Sequence, residues 1–179
     1  MSKTNAVKIL VLLLILGGAA IFAFRLRQPR PVNIGERAPD FTLPSLTQGS
    51  LSLRGSGRQV VVLNFWATWC PPCVEETPSL EKFAEQMRLQ GVAVVGVSVD
   101  QDVAALQTFV AQQHLSFPVL RDPDRSVDNR YGTFQFPETY IIDQEGRVAE
   151  KLIGAVDWQD PRLLAFVQEL AGKAVGSRQ

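Results

Sequence analysis

Residues 64–80 read "NFWATWCPPCVEETPSL" and carry the only two cysteines of the 179-residue chain, Cys70 and Cys73. Pro71 and Pro72 fill the gap between them. Just upstream, "QVVVLNFWA" (59–67) is an unbroken apolar run, the pattern of a strand covered on both faces. Downstream, "VEETPSLEKFAEQMRLQG" repeats apolar residues at Leu80, Phe83 and Met87, a helical spacing with Gly91 as a stop. Pro78 predicts a kink or a short lead turn. The two thiols therefore stand where a central strand hands over to a helix.

Four chemistries could use such a pair. A structural zinc site needs four ligands. The chain offers two cysteines and a single histidine, His114, so a site would have to be shared across a dimer. Covalent haem attachment needs a histidine directly after the second cysteine, and Val74 stands there. A purely structural disulfide across so short a loop stabilises little. A redox-active dithiol, by contrast, is served by this position. Backbone amides at a helix start lack intrahelical partners and carry partial positive charge, which favours a thiolate. Cys70 is then the expected exposed nucleophile, with Cys73 one turn inward as the resolving thiol. The prolines give up N–H groups that a helix start does not use, and they stiffen the turn. This is the preferred reading, and it needs no cofactor and no metal.

The rest of the chain supplies one α/β layer architecture. "RQPRPVNIGERAPD" (27–40) reads as a linker, and "DFTLPSLTQGSLSL" as a β-hairpin around "TQGS". "VAVVGVSVD" (92–100) is a second buried strand, followed by a helix over 103–115 with Val103, Leu106, Val110 and His114 or Leu115 inward. "FPVLRD" is a short strand and "RSVDNRYG" a brief helical turn. "ETYIID" and "GRVAEKLIG" form two strands joined through "QEG". A closing helix begins at Asp160 as N-cap with Pro161 in its first position. His114 is read as structural, Trp66 as core and Trp158 as packing.

"NFWATWCPPC" together with the later "FPETYIID" resembles the thioredoxin superfamily, and within it the membrane-tethered TlpA/ResA/CcmG (DsbE) thiol-disulfide oxidoreductases. The resemblance covers about residues 35–172. It implies a thioredoxin-like fold, a central mixed sheet flanked by helices, with an added N-terminal β-hairpin. It maps a cis-proline facing the disulfide onto Pro137. Phe136 before it would offer its backbone to an extended substrate segment, with Trp69 shielding the site and Glu138 a further substrate contact. Asn64 stands where cytosolic thioredoxins place a buried aspartate, and it cannot titrate. Similar proteins use a glutamate three residues after the second cysteine, here Glu76, a helix neighbour of Cys73 at i, i+3. If buried, its pKa should rise and suit proton transfer; Glu75 fits a solvated first-turn carboxylate better.

The same resemblance implies a reductant of protein cysteine pairs, such as those of apocytochrome c, re-reduced by a membrane electron donor. Two rivals stay open, a disulfide-donating oxidase and a non-catalytic peptide-binding module. The cytochrome-maturation pattern places Gly-Val ahead of the cis-proline, whereas Thr133-Phe134 stand here. A peroxiredoxin would carry a threonine three places before the nucleophile, and that place is Ala67.

Charge and hydropathy divide the chain in two. "ILVLLLILGGAAIFAF" (9–24) has no charge or amide and reads as a retained membrane anchor rather than a cleaved signal, since Ile21, Phe22 and Phe24 follow Ala19 and Ala20. Residues 1–30 are thus one unit and 31–179 the thioredoxin-like domain. Five basic residues precede position 31, leaving 13 basic against 18 acidic residues beyond it, a net of −5. An acidic domain of this kind excludes a nucleic-acid footprint. Basic residues flank the anchor on both sides, so charge does not orient it. Dithiol chemistry and the resemblance both expect a single-pass inner-membrane protein with its domain in the periplasm.

Overall fold

The computed structural model describes residues 3–27, 30–47, 49–57 and 59–176, and all their side chains except those of 3–7, 20, 23–27, 56 and 173–176. Residues Met1–Arg30 and Pro31–Gln179 form two compact units. In the first, helix α1 spans Lys3–Arg27. Its described apolar side chains, among them Leu12, Leu14 and Phe22, are exposed. Among the described residues no helix is long and apolar enough to cross a membrane. The anchor expected over 9–24 also includes Ala20, Ala23 and Phe24, whose side chains lie outside the described residues.

The second unit opens with a hairpin of β1 (Thr42–Pro44) and β2 (Ser50–Ser52). Then come β3 (Val60–Trp66), α2 (Pro71–Met87), β4 (Val92–Ser98) and α3 (Val103–Gln112). After them run β5 (Val119–Arg121), α4 (Ser126–Tyr131), β6 (Glu138–Ile142), β7 (Val148–Ile153) and α5 (Pro161–Gly176). The main sheet has the order β5-β4-β3-β6-β7. Strands β3, β4 and β5 are parallel, so α2 and α3 serve as their crossovers, while β6 and β7 run antiparallel. The mixed sheet expected from the resemblance is the one observed.

Every residue of β3 is buried, and alternation divides them between two cores. Val60, Val62 and Trp66 join Leu80, Phe83 and Met87 of α2, Leu106 of α3 and Val167 of α5. Val61, Leu63 and Phe65 face the other way, onto Phe41, Val127, Tyr131 and Tyr140. The even-numbered register places Asn64 on the α2 side, a polar residue in an otherwise apolar row. Antiparallel pairing also sets Phe65 opposite Glu138. The start of β6, with Pro137 just before it, is thereby brought beside the end of β3 and the Cys70 turn.

Three local expectations change. Helix α2 runs through Pro78 as one element, with no separate lead turn. The segment read as a linker is packed from Val32 onward: Gly35 N–H donates to Val148 O at 2.7 Å and Ala38 N–H to Gly146 O at 2.9 Å. It satisfies polar groups beside β7 that a free linker would leave to solvent. Helix α3 stops at Gln112, and His114 takes a left-handed backbone with φ 54°. The inner stripe is Leu106 with Phe109, Val110 and Leu115, while Val103 and His114 are exposed.

Candidate active site

Cys70 is the N-cap of α2, with extended backbone (φ −99°, ψ 104°) and Pro71 and Pro72 in the first helical positions. Its sulfur accepts the Cys73 N–H at 3.3 Å. The helix start thus directs an unused donor at this sulfur, as the sequence position required. Cys70 and Cys73 are joined as a disulfide with Cα atoms 5.3 Å apart. Cys73 is 1 % exposed, and Cys70, expected in the open, is only 5 % exposed. Bonding to the inner cysteine turns the outer sulfur back over the first helical turn.

The turn ahead of Cys70 is held from the end of β4. Asp100 is buried and accepts from Thr68 N–H at 3.0 Å, from Thr68 Oγ1 at 2.6 Å and from Ser98 Oγ at 2.6 Å. Three donors fix a buried carboxylate and, through it, the residues that lead into the dithiol.

Behind the disulfide sits Glu76, 4 % exposed, one helical turn beyond Cys73, whereas Glu75 is exposed. Oε1 of Glu76 accepts from Asn64 Nδ2 at 2.9 Å, and Oε2 from Val156 N–H at 3.1 Å. Asn64 Nδ2 also donates to Thr139 Oγ1 at 2.9 Å. Burial pushes the Glu76 pKa up to about 7, against the pull of the Val156, Asn64 and Trp158 donors. The Trp158 indole N–H forms no hydrogen bond of good geometry, yet it lies close enough to act on this carboxylate. A buried carboxyl poised near neutrality, one turn from the inner sulfur, can take up or return a proton at physiological pH.

On the outer side Trp69 is 64 % exposed and meets Phe136 edge-on at 6.0 Å between ring centres. The Phe136–Pro137 peptide is cis. Among the described residues neither the N–H nor the C=O of Phe136 is hydrogen-bonded, while Pro137 O accepts from Gly154 N–H at 2.8 Å. Residues 135–137 form a bend that leads into β6, and the free donor and acceptor of Phe136 are the groups an added peptide strand would pair with. Glu138, expected to meet substrate, is instead fully buried. Lys151 Nζ lies 2.9 Å from its Oε1, and Tyr140 Oη hydrogen-bonds the same oxygen. The preceding Thr133 is buried and Phe134 is 69 % exposed. Exposed His114 takes no part in the site, and the described residues contain no cluster able to hold a metal ion.

Sequence reasoning brought together Cys70, Cys73, Glu76, Trp69, Phe136 and Pro137, but it missed Val156, Trp158 and the Asp100–Thr68–Ser98 set. Val156 lies 80 residues from Glu76, and no local spacing announces such a contact. Asp100 was more accessible, as an acid ending an apolar strand.

A thioredoxin-like sheet with a helix-capping Cys-Pro-Pro-Cys disulfide and a cis-proline beside it defines a thiol-disulfide oxidoreductase. The AhpC/TSA family profile matches residues 34–151, and the chain belongs to that family. It is similar to the thiol-disulfide oxidoreductase ResA of Bacillus anthracis, 32 % identical over 157 residues that cover 86 % of this chain and 91 % of that protein. ResA of Geobacillus thermodenitrificans is 34 % identical over 152 residues, covering 85 % and 87 %. Among solved structures, a secreted Mycobacterium tuberculosis disulfide oxidoreductase homologous to E. coli DsbE superposes with a TM-score of 0.60. It is 27 % identical and covers 76 % of this chain and 95 % of its own. Within the family the chain is thus a thiol-disulfide oxidoreductase of the ResA and DsbE type.

Proposed function

We propose that the protein is a membrane-tethered reductant of specific protein disulfides, serving apocytochrome c cysteine pairs during cytochrome c maturation. In this reading residues 9–24 hold it in the inner membrane and the domain from residue 31 faces the periplasm. The resemblance to tethered oxidoreductases and the apolar segment support the placement. The observation that carries the chemistry is Glu76, buried behind the disulfide and bound only by neutral donors.

Reduced Cys70, as thiolate, attacks one sulfur of the substrate disulfide and expels the other, which takes up a proton. Cys73 then passes its proton to Glu76 and attacks the Cys70 sulfur, releasing the second substrate thiolate. The enzyme is left with the Cys70–Cys73 disulfide and the substrate has gained two electrons. A membrane electron donor of the thiol-reducing type restores the dithiol. The free backbone of Phe136 and the exposed face of Trp69 hold the substrate strand while this occurs.

The test is trapping. Full-length Cys73→Ala protein in membranes should accumulate mixed disulfides through Cys70 with proteins bearing a cysteine pair, identified by mass spectrometry. Absence of any such species would leave a binding module rather than an enzyme. A potential near −120 mV, in place of one toward −270 mV, would reverse the direction to oxidation.

A further inference from the structure

Arg125 has no part in the chemistry above, yet its backbone, its Nε and one face of its guanidinium are each held in place. Its backbone is left-handed, φ 57° and ψ 29°, a conformation that residues with a Cβ adopt only at a cost. Its Nε donates to Oδ2 of Asp128 at 2.7 Å. Asp128 is fully buried, so one end of this pair is fixed in the core while the Arg125 side chain remains 46 % exposed. The guanidinium lies 5.3 Å from the centre of the Phe136 ring. That ring is the one that meets Trp69 and precedes the cis-proline.

The pair consumes one guanidinium N–H. Among the described residues neither Nη of Arg125 makes a hydrogen bond, so four donors in a fixed plane are left for something outside the chain. Cation–π contact with Phe136 places that plane along the edge of the strand-addition groove. The carboxylates around it are already engaged: Asp122 accepts from the N–H groups of Ser126, Val127 and Asp128, and Glu138 is buried and joined to Lys151. A strained, half-exposed arginine with its fork unfilled, beside an unpaired backbone segment, is built to receive a carboxylate.

We propose that Arg125 selects substrates whose disulfide-bonded cysteine is flanked, within about two residues along an extended strand, by an aspartate or glutamate. The proposal rests on the exchange reaction of the preceding section and names its substrate class. The peptide backbone lies along Phe136, and its acidic side chain reaches across the phenyl ring to the Nη groups. A lysine at the same place meets like charge at the groove edge.

The experiment uses the reduced, full-length protein and three peptides, each with one intramolecular disulfide and either Glu, Gln or Lys beside the attacked cysteine. Reduction of the Glu peptide should be about tenfold faster than that of the Lys peptide at low ionic strength, with Gln between them. The ratio should fall toward unity in about 0.5 M salt. Arg125→Gln should bring the Glu-to-Lys ratio within about twofold, and Arg125→Lys should restore part of it. Should Arg125→Gln fail to fold, Arg125→Gly, which relieves the left-handed backbone, gives the same comparison. Equal wild-type rates on all three peptides would overturn the proposal, as would a preference that survives loss of the guanidinium. No exchange with any peptide would instead strike at the proposed reductase itself, so the two failures are told apart.

Discussion

Two glutamates are buried in this domain to nearly the same degree, Glu76 at 4 % exposure and Glu138 at 0 %. They flank one pair of hydrogen-bonded side chains, since Asn64 touches Glu76 and its partner Thr139 follows Glu138. What differs is the company each keeps. Glu138 has a lysine ammonium at 2.9 Å and a tyrosine hydroxyl. Glu76 has an amide, a backbone N–H and an indole, all neutral. An ion pair holds a carboxylate in place and makes it part of the scaffold. Neutral donors leave burial to dominate, and the group holds its proton up to about pH 7. The contrast separates a structural carboxylate from one available for proton transfer at the inner thiol.

The strongest way to break the contrast is to remove the cation. Lys151→Met should leave Glu138 as an uncompensated buried charge and cost about 3–5 kcal/mol in urea unfolding at pH 7. A loss below about 1 kcal/mol would mean that the lysine contributes no more than a surface pair does.

Next in size is the pH dependence contributed by Glu76. Its folded-state pKa is raised from 4.5 to about 7, so its contribution to stability is fully present below about pH 4.5 and is lost as pH rises to about 7. By linkage that interval is worth about 3 kcal/mol. Glu76→Gln should flatten this slope and leave the rest of the profile in place, as read by denaturant midpoints from pH 4 to 8. The same variant should slow peptide-disulfide reduction at pH 7 by about a hundredfold, the low end of what a positioned proton acceptor typically contributes. An unchanged stability slope together with an unchanged rate profile would remove Glu76 from the reaction.

How much of this was legible beforehand follows from how far each interaction reaches along the chain. The strand-to-helix handover at Cys70 is local, and apolar runs, helical spacing and the Pro-Pro insert fixed it completely. Asn64 and Glu76 were singled out by the family resemblance, and the i, i+3 spacing from Cys73 put Glu76 within reach of the inner thiol. The environment of Glu76 could not be so placed. Val156 and Trp158 arrive from the loop between β7 and α5, and only the closed sheet brings them there. Exposure of Cys70 was misjudged for a related reason, because a helix N-cap that is open in isolation is covered once its sulfur bonds inward. The segment from Val32 to Ala38 carried a linker's composition, yet its backbone found partners beside β7. Composition reports what a segment costs to order and says nothing of the donors waiting across the sheet.

The finest test of the contrast is Asn64→Ala. This amide is the one neutral donor that ties Glu76 to β3, and it pulls the Glu76 pKa downward while burial pushes it up. Removing it therefore raises that pKa above about 7, by about one unit if the bond contributes what a hydrogen bond to a charged acceptor typically does. The sign is what matters. A raised pKa moves the decline in stability to more alkaline pH, and with it the pH at which Glu76 can accept the Cys73 proton. Carboxyl-carbon NMR titration of the oxidised protein reads the shift directly, free of thiol signals. Glu138 lies outside this network, for its partners are Lys151, Tyr140 and the Phe134 N–H, and none of them touches Asn64. A Glu76 titration that stays put or moves toward acid would show that the amide does not set this carboxyl, and the division between the two glutamates would then rest on burial and the lysine alone.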